Sequence, residues 1–231
     1  MKRNIVITGG SSGIGYSLTK RLTENGDNVF LLSRKALDAK INGENCFKIP
    51  CDVSKTMDIN RAKDDVLRIL SGLENSDIDC LINCAGVGYE KSLENTDESD
   101  FEYIFGTNVK GLIFTTKIFL PLLSKPNSVI CNISSVAGIK GFAGWTLYSA
   151  SKFAVEGFSE SLRHELRPKR IKVISVRLGA VNTPFYKDLP NDDKTEFMDP
   201  GEVSDTIIMA LFTGTNAVVE NIFINNTCGD L

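Results

Sequence analysis

Seven short apolar runs recur along the chain: Asn4–Thr8, Asn28–Ser33, Cys46–Cys51, Cys80–Asn83, Ser128–Ser134, Lys172–Leu178 and Val218–Ile224. Most are apolar throughout instead of alternating with polar residues, the pattern of strands covered on both faces. Longer amphipathic stretches separate them and predict helices over Gly13–Asn25, Lys55–Leu70, Ser99–Asn108, Val109–Lys125, Leu147–Arg167 and Pro200–Phe212. Strand and helix in alternation imply a parallel sheet with helices on both faces, wound by right-handed crossovers. A chain of 231 residues is within reach of one such domain. The expectation is therefore a single α/β unit over residues 1–231, a doubly wound parallel sheet of about seven strands.

Local signals agree. Asp199-Pro200-Gly201-Glu202 offers a capping aspartate, a proline at the first helical position and a glutamate where a capping box wants it. The least patterned stretch, Pro184–Met198, precedes that helix and is expected to form a lid over a substrate, with disorder as the alternative.

Composition narrows the function classes. With 42% hydrophobic and 24% charged residues the chain can pack a core and does not read as disordered. A formal net charge of −3 gives no reason to expect nucleic acid or an anionic membrane as partner. The basic run Arg167-Pro168-Lys169-Arg170 reads as a solvated helix end. The six cysteines form no CxxC pair and the lone His164 is distant from them, so zinc spacing is absent and no metal is expected. Reduced, buried thiols suit a cytoplasmic home. So does a start, Met1-Lys2-Arg3, that leads into Ile5-Val6-Ile7 without a signal peptide. The most apolar long stretch, Gly111 to Leu123, is broken by Thr115, Thr116 and Lys117 and falls short of the roughly 20 apolar residues of a membrane span.

Between the first strand and the first helix stands Thr8-Gly9-Gly10-Ser11-Ser12-Gly13-Ile14-Gly15. A helix N-terminus carries orphan N–H groups and the positive end of a dipole, which suit a pyrophosphate. Glycines let the backbone turn sharply and let phosphate oxygens approach. The spacing is GxxxGxG preceded by threonine, not GxGxxG, and here the chain resembles the short-chain dehydrogenase/reductase family in its compact, Rossmann-type form. The resemblance implies that Gly9, Ser11, Ser12, Gly13, Ile14 and Gly15 contact a dinucleotide cofactor.

An acidic residue about 20 residues past the loop would select NAD by binding its ribose hydroxyls. The second strand instead ends Leu31-Leu32-Ser33-Arg34-Lys35, and no carboxylate follows until Asp38. Arg34 can grip a 2′-phosphate, with Ser33 donating beside it, so the expected cofactor is NADP(H). By resemblance, Asp52 and Val53 after the third strand face the adenine. Asn83-Cys84-Ala85-Gly86 is similar to the family's NNAG segment, assigning Asn83, Ala85 and Gly86 to the cofactor side, with Asn83 chiefly holding the sheet together. Gly179, Val181 and Thr183 match the family's PGxxxT segment at the nicotinamide, although Leu178 replaces its proline.

The fifth strand ends Ile133-Ser134-Ser135. Tyr148 stands thirteen residues past Ser135 and Lys152 four further on. Positions i and i+4 of a helix share a face, so tyrosine and lysine can enter one cleft. A free phenol titrates at about 10, and a nearby ammonium lowers that value. The family's catalytic pattern maps onto Asn108, Ser135, Tyr148 and Lys152, with Ser134 as the competing serine. The implied reaction interconverts a ketone or aldehyde and an alcohol by hydride transfer. Tyr148 is the acid/base, Ser135 steadies the oxygen, Lys152 poises Tyr148 and holds the ribose hydroxyls, and Asn108 holds a proton-relay water. The alternative is a non-enzymatic NADP(H)-binding sensor or scaffold.

Phe142, Trp145, Phe185 and Tyr186 flank these segments and read either as an apolar or aromatic substrate face or as ordinary packing. The helices over Val109–Lys125 and Leu147–Arg167 carry apolar residues on more than one face. The family pairs these helices across an interface, so a homodimer or homotetramer is expected.

Overall fold

The computed structural model describes residues 2–186 and 195–229. Its centre is a sheet of seven parallel strands: β1 (Asn4–Thr8), β2 (Asn28–Ser33), β3 (Cys46–Pro50), β4 (Cys80–Asn83), β5 (Val129–Ile133), β6 (Lys172–Leu178) and β7 (Asn221–Ile224). Their order is β3-β2-β1-β4-β5-β6-β7. Register pairs Thr8 with Leu32 on one side of β1 and with Asn83 on the other.

The helices are α1 (Gly13–Glu24), α2 (Thr56–Leu70), α3 (Glu98–Phe105), α4 (Leu112–Phe119), α5 (Thr146–Leu166) and α6 (Pro200–Leu211). Successive strand residues point to opposite faces, and the two cores follow that rule. Ile5 and Ile7 pack with Leu18 and Leu22 of α1 and Val203 and Ile207 of α6. Val6 points the other way, into a core with Ile59 and Val66 of α2, Phe119 of α4 and Leu162 and Leu166 of α5. Both faces are covered, which is why the strands are apolar throughout. Burying one such side chain, for example the fully enclosed Phe30, contributes about 1.5–3 kcal/mol.

Several boundaries differ from the sequence expectation. The helices predicted over Ser99–Asn108 and Val109–Lys125 are one continuous rod, in which a π-helical segment, Gly106–Gly111, joins α3 to α4. A π turn takes an extra residue, so the apolar repeat changes phase there and the rod reads as two helices. It opens one residue early because Asp97 and Asp100 form a reciprocal capping box. It leaves α-helical form at Phe119, where Leu120–Leu122 tighten to a 3₁₀ turn carrying Pro121. The last strand starts at Asn221 instead of Val218. The cap of α6 is as expected: the Asp199 carboxylate accepts from the backbone N–H of Gly201 and Glu202.

Of the expected lid Pro184–Met198, Pro184–Tyr186 form a 3₁₀ turn and Val181 bridges to Met198, while 187–194 lie outside the described residues. No described helix is long and apolar enough to cross a membrane.

Candidate active site

The strand order reverses beside β1, and a crevice opens there at the carboxyl ends of β1 and β4, the place where open α/β sheets bind ligands. Thr8 builds its floor. Its buried hydroxyl accepts from the backbone N–H of Cys84 and of Ala85, both at 3.1 Å, and so ties the loop after β4 to the end of β1. Gly9 takes a left-handed φ of 70°, and a β-carbon there would stand 2.8 Å from the Cα of Ala85. A β-carbon on Gly15 would run into the Gly9 carbonyl. Only glycine lets these three backbones meet.

Ser12 caps α1 in extended conformation with no side-chain hydrogen bond, and the first turn carries no acidic residue. Its N–H groups and dipole therefore face the crevice with no carboxylate of that turn competing for them. Gly13 opens the helix against Thr183, whose Cβ lies 3.2 Å from where its own would be. Ile14 packs partly against the first core.

At the end of β2 the hydroxyls of Ser11 and Ser33 lie 2.5 Å apart, and Ser33 also accepts from the N–H of Lys35. Arg34 and Lys35 are exposed, and no ion pair holds Arg34 among the described residues. Asp52 accepts from the backbone and hydroxyl of Ser54, so its side chain shapes the turn after β3. Val53 is buried against Gly111. Asn83 donates to Thr116 Oγ1 and Asn132 Oδ1, and Asn132 donates to Ser159. That network ties β4 and β5 to α4 and α5.

The catalytic candidates converge at the ends of β4 and β5. Ser135 follows β5; its hydroxyl accepts from the Ala137 N–H at 3.1 Å and is hydrogen-bonded to Tyr148. Lys152 lies one turn beyond Tyr148 on α5. Its side chain is 5% exposed, and its Nζ donates to the Ile133 carbonyl at 2.9 Å and stands 5.7 Å from the centre of the Tyr148 ring. Gly86 passes close by: a β-carbon there would be 3.7 Å from Lys152 Nζ and 3.6 Å from Asn108 Oδ1. Asn108 sits in the π segment. It accepts from the Val87 N–H and donates to the Val87 carbonyl, each at 2.8 Å, and donates to Ser151 Oγ at 3.0 Å.

Burial sets the electrostatics. It pushes the Tyr148 phenol above its ordinary value, with Tyr186 adding in the same direction and the Ser135 hydrogen bond opposing. It draws the Lys152 ammonium down to about 8, against the favourable fields of Cys84 and Glu156. Cys84 itself is pushed up to about 12 by burial. Glu156, one turn beyond Lys152, accepts from Ser175 at 2.7 Å and from Arg177 at 2.9 and 3.1 Å. A buried phenol and a buried amine of this kind can pass a proton between a bound oxygen and the protein.

The model of the short-chain dehydrogenase family matches residues 3–194. The chain belongs to that family. Short-chain dehydrogenases and reductases are oxidoreductases, and the curated relatives fit. A sepiapterin reductase of Chlorobaculum tepidum is 29% identical over 100% of this chain and 99% of its own. A carbonyl reductase family member 4 of Danio rerio is 31% identical, covering 91% of this chain and 92% of its own. Among solved structures, ElxO with NADP bound superposes with a TM-score of 0.86 at 25% identity, covering 97% of this chain and 98% of that one. The seven-stranded parallel sheet is thus the Rossmann-type fold of short-chain dehydrogenases.

Within this family member, three structural partners escape the sequence. Asn226 grips Ala180 through both its N–H and its carbonyl, at 2.9 and 3.0 Å, and donates to the Glu196 carbonyl at 2.7 Å. It thereby fixes the segment holding Gly179, Val181 and Thr183. Gly88 lies against the Tyr148 ring, and Ser151 steadies Asn108. The only trace of Asn226 in the sequence is a polar pair after an apolar run, which reads as a plain turn.

Proposed function

We propose that the chain is an NADP(H)-dependent reductase that interconverts a ketone or aldehyde with an alcohol. One observation carries this reading: Ser135, Tyr148 and Lys152 converge at the mouth of a glycine-walled crevice. The crevice suits a dinucleotide: Gly9 and Gly15 let the backbones at the ends of β1 and β4 close on one another below the uncapped start of α1, and Gly86 adds no side chain beside Lys152 and Asn108. Ser11, Ser12, Ile14, Ala85, Val181 and Thr183 border it, and Asp52 and Val53 shape the turn on its adenine side. When bound, the nicotinamide supplies the hydride.

Tyr148 donates its phenolic proton to the substrate oxygen. Ser135 donates a hydrogen bond to the same oxygen and stabilises its developing charge. Lys152, held by Ile133, places positive charge beside the phenol and favours the phenolate left behind. Asn108 acts as a positioning residue through its bonds to Val87 and Ser151, and its Oδ1, which accepts one bond from the Val87 N–H, keeps a second lone pair for the relay water that the resemblance implied. It keeps the loop carrying Gly86 and Gly88 under the tyrosine. Exposed Arg34, with Lys35 and Ser33 beside it, supports NADP(H) over NAD(H), since a guanidinium with no carboxylate partner among the described residues is open to a 2′-phosphate. All six cysteines are free thiols, which supports a cytoplasmic home.

Absorbance at 340 nm (the NADPH band) tests the reading with NADPH and then NADH against ketones, quinones and aldehydes. The expected result is NADPH consumption, little use of NADH, and loss of turnover in Tyr148→Phe. Undiminished turnover in that variant would overturn it.

A further inference from the structure

Four aromatic rings, that of the candidate catalytic tyrosine included, form one row. Trp145 meets the Tyr148 ring edge-on, with centroids 5.5 Å apart, and Phe185 meets the same ring at 5.5 Å and a tilt of 52°. Trp145 and Phe185 are themselves nearly parallel, 18° apart with centroids at 6.2 Å. Tyr186 continues the row from Phe185 at 5.0 Å. None of the four belongs to a core cluster, and each keeps part of its surface open. What sets these rings apart is that they are grouped, partly open and in contact with a candidate reacting group.

The wall is supported from below. Gly88 lies beneath it without a side chain, and a β-carbon there would stand 2.9 Å from Phe185 Cζ. The loop backbone, Tyr148 and Phe185 therefore meet at contact distance, and this side of Tyr148 presents apolar ring surface. At the rim, the Glu90 carboxylate lies against Gly144, next to Trp145. A carboxylate on the substrate would be repelled there.

We propose that Trp145 and Phe185 form a specificity wall that receives a flat, uncharged ring attached to the reacting carbonyl carbon. The inference rests on the reductase reading, because it takes Tyr148 as the group that meets the carbonyl oxygen. Ring faces and edges in contact add to the area they bury, and they reward planarity over bulk. The selected property is thus flatness next to the carbonyl.

Acetophenone and cyclohexyl methyl ketone test it, since they match in carbon skeleton and differ in planarity. With NADPH as donor, kcat/KM is expected to be about 10-fold higher for acetophenone, mostly through KM, a factor of the size ring contacts supply. Trp145→Ala and Phe185→Ala should each erode that preference, and Trp145→Phe should restore most of it.

Trp145 is the chain's single tryptophan, so its emission gives a readout that needs neither turnover nor a variant. Acetophenone should quench it saturably, and cyclohexyl methyl ketone should not. Turnover of both ketones at equal kcat/KM would overturn the wall and leave the reductase standing. Saturable quenching by acetophenone alone, without NADPH consumption, would support the wall and overturn the reductase. Absence of both turnover and saturable quenching would overturn the wall.

Discussion

Gly88 and Tyr148 are packed so closely that a β-carbon at 88 would stand 2.9 Å from the tyrosine's Cε2 and nearer still to its Cδ2. The phenol's position thus depends on a missing side chain sixty residues away. Gly88→Ala is expected to displace the ring and lower kcat by about 10-fold or more, at a stability cost of about 1–3 kcal/mol. Steady-state kinetics beside urea unfolding would check both. Unchanged kcat would show that the ring tolerates the methyl.

Lys152 shows a trade between function and stability. Burial lowers its ammonium from 10.5 to about 8, so the fold disfavours the charged form by about 3 kcal/mol. Because the folded value is depressed, this penalty is fully present below about 8 and fades as pH rises toward 10.5, where the unfolded chain also loses its proton. Lys152→Met removes the buried charge and leaves the Ile133 carbonyl without its donor, an offset of about 1 kcal/mol. The variant should be inactive yet about 1–2 kcal/mol more stable at pH 7, with the advantage shrinking between pH 8 and 10.5. Denaturant midpoints across that range would decide it.

Arg34 governs the cofactor choice we propose. Arg34→Ala is expected to weaken NADPH binding by about 10- to 100-fold, the loss of one charge-assisted contact to phosphate, and to leave NADH binding nearly unchanged. Calorimetric titration with each cofactor measures this. Equal losses for both would show that Arg34 does not read the 2′-phosphate.

Asn226 makes three hydrogen bonds to the backbone of Ala180 and Glu196 and is 5% exposed. Asn226→Ala leaves those buried groups unmatched. A loss of about 2–4 kcal/mol is expected, together with a higher KM for the cofactor as the 179–183 segment loosens. A urea midpoint within error of the wild type would refute this role.

The α4 and α5 helices leave apolar surface uncovered. Phe153 is 48% exposed, and Phe114, Ile118 and Phe158 are half-buried. Patches of this kind mark contact with another chain. A dimeric or larger mass by light scattering at micromolar concentration is expected, reduced by Phe153→Glu. A monomeric wild type would dismiss the pairing.

The sequence alone determined the strands and the sheet type, and it singled out the residues proposed for the chemistry. Apolar continuity is a local signal, and so are the glycine loop at Thr8–Gly15 and the four-residue step from Tyr148 to Lys152. It also placed the cap of α6, since Asp199 needs only the next few N–H groups. The tertiary structure decided everything that depends on distant partners. The π segment joining α3 to α4 shifted the apolar phase, so local periodicity misread one rod as two helices. Asn226 became a clamp only because β7 lies beside β6. Asn108 was tied to Val87, and Gly88 came to lie beneath Tyr148, because folding brought three loops to one edge of the sheet. Spacing along a chain reports what neighbours can do, and which distant side chains meet is settled by packing in three dimensions.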